Sequence, residues 1–186
     1  MFHRKSTRLV GYDYANENYY YVTICTHERR CIFGDVKALS KYGKIAEEEL
    51  LKISKHFGTV KLDKYMIMPN HIHAIIVISS DDRRGGSREE QDLPRQGKDE
   101  IINEGGASSS PTVKRSVKIP TLTTIIGLYK SGVSKRIHQM DPDLQVWQRS
   151  FYDHIIRNER SYLEICRYIE ENPIKWEFDK YYSHDD

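Results

Sequence analysis

Met66-Ile-Met-Pro-Asn-His71-Ile-His73-Ala-Ile-Ile-Val-Ile78 places two histidines at the head of a β-branched run. A short apolar run of this composition reads as a buried strand. Successive side chains of a strand alternate faces, so His71 and His73 project together while Ile72 packs on the other side. Two imidazoles side by side on rigid backbone are either the start of a divalent-metal site or two satisfied histidines at a strand end.

Outward from this stretch the chain alternates strand and helix patterns. The strand is expected from about Asp63 to Ile78, interrupted by Pro69, which belongs at an edge, a start or a bulge. Tyr19 to Cys25 is aromatic and β-branched and reads as a second strand, with Cys31 to Phe33 as a short continuation. Ser40 to Ser54 carries Ile45, Leu50, Leu51 and Ile53 among acids and Lys52, the pattern of an amphipathic helix. Leu122 to Arg136 keeps helical spacing after Pro120-Thr121, through Leu122, Ile126, Tyr129 and Val133. Val146 to Ile156 reads as extended. Asn158 to Asn172 reads as a helix with Asn158 as its N-cap, and Pro173 pushes Asn172 to its C-terminal edge.

Ser79 to Ser110 is different material, mixing Asp81-Asp-Arg-Arg84, paired glycines and Ser108-Ser-Ser110. Such a composition buries too little surface to offset its ordering entropy, so a flexible insertion is expected over about 79–112. The remainder, within 1–186, fits one domain. Net charge is only +2, so affinity for a polyanion has to come from local clustering. Such a cluster exists: Val113 to Met140 holds Lys114, Arg115, Lys118, Lys130, Lys135 and Arg136 and no acid. The three cysteines, Cys25, Cys31 and Cys166, have no C-x-x-C spacing, which argues against a disulfide framework or a structural zinc site. No apolar run reaches the ~18–20 residues that span a membrane, and the N-terminus has no signal-peptide core. The expectation is a cytoplasmic protein with no membrane partner.

Tyr168 and Asn172 are one helical turn apart and share a face. Packed near the histidine strand, they would add a phenol and a hard oxygen to two imidazoles. Nitrogen and oxygen ligands with open positions suit Mg²⁺ or Mn²⁺, and no further His or Cys stands at zinc spacing. A phenol ionises near pH ~10 and needs a cation or base to become a nucleophile. Its natural task here is attack on a phosphodiester, leaving a phosphotyrosine that stores the bond for rejoining. Tyr152, beside Asp153 and His154, is the rival nucleophile, and its extended context reads as sheet packing. His154 is a structural or DNA-contacting group before it is a third ligand. Arg149 and Arg157 can grip phosphates or pair with Asp153 and Glu159. Trp147 belongs to the core by its apolar neighbours.

The order of these motifs resembles one family. Pro69-Asn-His-Ile-His73 looks like the His-hydrophobe-His motif of single-tyrosine transposases of the insertion-sequence type. Trp147-Gln-Arg-Ser-Phe-Tyr-Asp-His-Ile-Ile-Arg157, followed by Tyr168-Ile-Glu-Glu-Asn-Pro173, resembles the REP-associated tyrosine transposases in particular. Arg4 to Tyr14 and the Leu122 to Arg136 helix fit the same group, so the likeness spans the chain outside the insertion.

The resemblance implies an α+β fold, a central antiparallel sheet flanked by helices in a ferredoxin-like or RRM-like core. It implies cleavage and rejoining of single-stranded DNA beside hairpin (REP-like) sequences through a 5′-phosphotyrosine, with Mg²⁺ or Mn²⁺. By position, Tyr168 would be the nucleophile, and His71, His73 and Asn172 the metal ligands. The basic residues expected to meet DNA are Arg4, Lys5, Arg8, Arg115, Lys118, Lys130, Arg149 and Arg157. The family includes monomers and homodimers. A hairpin-binding protein without catalysis is the alternative on the same fold, and an unrelated metallohydrolase lacks a convincing ligand spacing.

Overall fold

The computed structural model describes residues 11–80 and 119–182. Arg4, Lys5, Arg8, Arg115 and Lys118, and residues 81–112 of the expected insertion, lie outside the described residues.

Among the described residues, ten strands and α-helices follow one another: β1 (Asn18–Cys25), β2 (Gly34–Asp35), β3 (Ala38–Leu39), α1 (Lys41–Leu51), α2 (Ile53–His56), β4 (Val60–Ile67), β5 (His71–Ile78), α3 (Leu122–His138), β6 (Tyr152–Ile156) and α4 (Glu159–Glu171). The main sheet is antiparallel in the order β4-β5-β1-β6. With α1 after β1 and α3 after β5, this is the βαββαβ order of a ferredoxin-like α+β core, as the resemblance implied. The β2–β3 hairpin is inserted ahead of α1, and α4 is added after β6.

Side-chain alternation sorts the sheet into two faces. Tyr20, Val22 and Ile24 of β1 and Ile72, Ala74, Ile76 and Ile78 of β5 meet α1 and α3 in the larger core. Tyr21 and Ile75 face the other way, where Ile156, Cys166 and Ile169 complete a smaller core under α4. Every residue of β5 is buried, because helices cover both faces of this central strand.

The sequence-level elements stand with three differences. The run around Pro69 is two strands, and β4 and β5 form an antiparallel hairpin whose turn carries Pro69. Met68 donates to the carbonyl of His71 (2.8 Å), so the proline sits where no ladder donor is needed. Cys31 to Phe33 is no continuation of β1 but a turn leading into the small hairpin. The Ser40 to Ser54 pattern becomes α1 and α2, with Ser40 accepting from the backbone of Tyr42 and Gly43 as N-cap.

α4 is capped at its start and bound to the sheet at two points. Asn158 caps it by accepting from Ser161, as expected. Tyr162 donates to Asp63 (2.7 Å), the residue at which β4 shifts its register against β5. Lys64 pairs with Glu170 near the other end. These contacts set the rotation of α4 and so decide where its last turn points.

Two glycines separate close approach from mere composition. A Cβ on Gly43 would lie 2.3 Å from the Phe33 carbonyl, whereas one on Gly127, exposed in mid-α3, would meet nothing within 4 Å. Gly43→Ala should therefore cost roughly 1–3 kcal/mol through overpacking. Gly127→Ala should stabilise by about 0.5–1 kcal/mol through helix propensity. Urea unfolding of the two variants checks the opposite signs.

Candidate active site

His71 and His73 emerge from the head of β5 on the α4 face, both fully buried. Their Nε2 atoms lie 2.9 Å apart. Each ring is held from behind through Nδ1. His71 Nδ1 is 2.8 Å from Asn70 Oδ1, and His73 Nδ1 is 2.7 Å from the Tyr21 hydroxyl and 3.1 Å from Thr23 Oγ1. Thr23 is the cross-strand partner of His73, so the β1–β5 register supplies this backing directly.

The contacts assign the protons. Asn70 Nδ2 donates to the carbonyls of Arg29 (3.0 Å) and Tyr181 (2.8 Å), which leaves Oδ1 as the acceptor toward His71. His71 therefore carries its proton on Nδ1 and turns the Nε2 lone pair toward His73. Thr23 donates to Tyr21 (3.2 Å), Tyr21 to His73 Nδ1, and His73 Nε2–H to His71. Five side chains thus form one continuous hydrogen-bond path.

Both imidazoles are held neutral. Burial, with the charges of Lys180 and Arg29 behind it, lowers the pKa of His71 to about 3. Burial and the neighbouring His71 push His73 well below the usual histidine range. Neutral imidazoles are the ligating form.

Over the pair lie the last turn of α4 and residues 176–182. Tyr168 and Asn172 share a face as expected, and both donate to one atom, Asp179 Oδ2, at 3.0 and 2.6 Å. Asp179 Oδ1 accepts from the backbone of Tyr181 (2.7 Å). His71, His73 and Asp179 each offer a ligand atom within 4.8 Å of the other two. Buried Asn172 Oδ1 has no hydrogen-bond partner among the described residues. Two ring nitrogens, a carboxylate and an orphaned amide oxygen fit a divalent cation. The rotatable hydroxyls of Tyr21 and Thr23 can accept from His73 Nδ1 as readily as donate to it, so both Nε2 atoms can face a cation.

The Tyr168 ring packs 5.2 Å from His73 and 6.4 Å from Tyr21, and the residue is 38% exposed. Burial and the Asp179 carboxylate raise the pKa of its hydroxyl, so Tyr168 rests as a neutral phenol hydrogen-bonded to an acceptor. Tyr152 stands on the same side, 6.4 Å from Tyr21 and more exposed than sheet packing had implied. His154 is exposed on β6, outside the group that could hold a metal.

The basic residues divide. Arg149 and Arg157 are exposed and make no ion pair among the described residues, and Arg157 lines a cleft with Tyr14, Tyr152, His154 and Asn158. Lys130 has a different post. α3 packs on the sheet face opposite the histidines, and the Lys130 ammonium donates to the carbonyls of Gln148 and Ser150, beside the Trp147 ring. It pins the chain leading into β6. Arg136 pairs with Glu48 and Glu49 of α1, and Trp147 packs on Phe33 and Tyr129. Of the described cations of the acid-free stretch, Lys130 and Arg136 are thus spent on internal contacts.

Asp179, Asn70, Tyr21 and Thr23 were missed in the sequence. Strand alternation could have found Tyr21 and Thr23 once the register was known. Asp179 sits in Phe178-Asp-Lys-Tyr-Tyr182, which has no periodicity to mark it.

The order and pairing of these strands and helices define a class: this ferredoxin-like core is the fold of a REP-associated tyrosine transposase. A solved member bound to a REP hairpin superposes with a TM-score of 0.52 over 93% of this chain and 76% of that one, at 14% identity. A candidate transposase of Deinococcus radiodurans gives a TM-score of 0.45 over 88% of this chain and 95% of that one, at 13% identity. No family model matches the chain. The chain belongs to one family with an uncharacterized protein of Haemophilus influenzae, to which it is 34% identical over 191 residues, 97% of this chain and 93% of the relative. Among the described residues no helix is long and apolar enough to cross a membrane.

Because His71 and His73 are neutral when folded and ionise near pH ~6.5 when unfolded, the unfolded state binds more protons at acidic pH. Their contribution is complete above pH ~6.5 and is lost as pH falls toward the folded values. Thermal melts of the metal-free protein should show Tm falling from pH 6.5 downward, with a shallower fall in His71→Gln/His73→Gln.

Proposed function

We propose that this protein is a metal-dependent single-stranded DNA transposase or endonuclease that cleaves and rejoins DNA beside hairpin sequences through a 5′-phosphotyrosine. One observation carries the reading: the Tyr168 hydroxyl, beside His73, donates to the carboxylate that also stands in the His71–His73 group. The resemblance in motif order and the fold shared with a REP-hairpin-bound transposase support the same assignment.

His71, His73 and Asp179, with Asn172 Oδ1 alongside, would hold the cation. When bound, it supplies charge to offset that developing on phosphate oxygens. Tyr168 is the nucleophile. Its oxygen forms a bond to phosphorus, its proton passes to Asp179 Oδ2, and the bond from phosphorus to the 3′-oxygen breaks, freeing a 3′-hydroxyl once protonated. Asn172 orients Asp179 through its amide, and the packing of α4 on β4 holds Tyr168 at the ring of His73. Rejoining is the reverse attack by a 3′-hydroxyl on the phosphotyrosine. Arg149 and Arg157, exposed on and beside β6, are proposed contacts for the DNA backbone.

The test is covalent capture. A labelled single-stranded hairpin oligonucleotide with Mn²⁺ or Mg²⁺ should give an SDS-resistant adduct, lost in Tyr168→Phe and retained in Tyr152→Phe. Loss in Tyr152→Phe alone would transfer the role. Binding of the hairpin with no adduct under any metal would leave a recognition protein on the transposase fold.

Metal binding is checked apart from chemistry. Millimolar Mn²⁺ should raise the Tm of the wild-type protein, by mass action on the folded state. The rise should vanish in His71→Ala/His73→Ala and shrink in Asp179→Asn.

A further inference from the structure

Beside the site, the turn His27–Arg29 carries an unusual backbone. Glu28 and Arg29 are both left-handed, at φ of 55° and 58°, though neither is glycine. The conformation is held from outside. Asn70 Nδ2 donates to the Arg29 carbonyl (3.0 Å), and Thr26 Oγ1 bonds to the carbonyls of both Arg30 and Asn70 (2.9 Å each). Asn70 is the residue that orients His71, so the strained turn and the histidine pair share one clamp.

This turn aims Arg29 at the site's mouth. Its guanidinium lies 5.2 Å from the centroid of the Tyr181 ring, and Nη1 donates to the Lys180 carbonyl (3.2 Å). The Lys180 ammonium stands 4.8 Å from the same ring and 5.5 Å from that of Tyr152. It makes no ion pair among the described residues; two tyrosine faces hold it. The Tyr181 ring in turn lies 4.8 Å from His71. Both cations are close enough to oppose protonation of His71. Two like charges gather on one ring, beside a metal-ligand group that holds one carboxylate among the described residues, and such a convergence favours an anion. Surface packing alone needs neither the convergence nor a left-handed arginine.

We propose that Arg29 and Lys180 form a phosphate seat beside the histidine pair, taking the backbone phosphate of an unpaired nucleotide next to the one that is cut. The proposal rests on the single-strand reading of the site and adds to it the phosphate-holding residues. Arg29 contributes a planar donor fork, and Lys180 a mobile point charge. Tyr152 and Tyr181, each under a cation, frame the seat with faces on which the attached base can stack.

The test uses fluorescein-labelled dT12 and the metal-free full-length protein, with affinity read by anisotropy over a series of NaCl concentrations. Each phosphate contact on a single strand adds about 0.7 to the slope of log K against log salt. Arg29→Gln should flatten the slope by about 0.7 and Arg29→Gln/Lys180→Gln by about 1.4, whereas Arg29→Lys should keep it. Arg160→Gln, on an arginine 90% exposed and paired with Glu164, should leave the slope unchanged. Arg29→Gly removes the charge while suiting the left-handed backbone, so it should be at least as stable and still lose the same slope. A wild-type slope in Arg29→Gln and Arg29→Gly, with dT12 bound, overturns the seat alone. No binding of dT12 by the wild-type protein overturns the single-strand reading and the seat with it.

Discussion

The structure turns on the contact between two buried imidazole nitrogens 2.9 Å apart. Neither ring can charge there at modest cost, because burial penalises the charged form. The arrangement survives because each Nδ1 is committed elsewhere, His71 to Asn70 and His73 to Tyr21 and Thr23. That commitment requires β1 and β5 to pair in one register. A slip by one residue would turn the backing hydroxyls to the opposite face. The apolar alternation that fills the larger core forbids such a slip, so packing on one face of the sheet enforces chemistry on the other.

α4 is the second determinant. It buries only a narrow stripe, Cys166 and Ile169 with Tyr162 and Ile165 beside them, and so could rotate on the sheet. The Tyr162–Asp63 hydrogen bond and the Lys64–Glu170 pair remove that freedom, the first at the point where β4 shifts register. Tyr168 and Asn172 are then presented together to Asp179. Asn172 lies at the C-cap, where Pro173 ends the helix and the chain turns back to bring residues 176–182 across the histidines. Helix termination and site assembly are one event.

The acid-free stretch shows why charge on a page is a weak guide to a surface. Lys130 and Arg136 share a helix, yet one is sunk against loop carbonyls and the other is neutralised by α1. Burial lowers the pKa of Lys130 to about 8. By contrast, Arg29 and Lys180 belong to no basic run, and they gather at the site because a strained turn and the C-terminal segment meet over one tyrosine ring. Clustering in space, not in sequence, makes a local field.

Much of the fold and half of the site were legible in the chain. Aromatic and β-branched runs marked β1 and β5, Asn158 marked a helix start, and His71-Ile-His73 and Tyr168-x3-Asn172 each put a chemical pair on one face by local geometry alone. Those are properties of consecutive residues, and backbone periodicity fixes them before any tertiary contact forms. Pro69 signalled a break but not a hairpin, since only pairing distinguishes a bulge from a turn. Asp179, Asn70, Tyr21 and the Arg29–Lys180 convergence were beyond local reading, for they depend on cross-strand register, on the docking angle of α4 and on the chain's return after Pro173. Local spacing chose which groups could do chemistry, and the folded packing chose which of them meet, because distances between elements are set by packing and not by spacing along the chain.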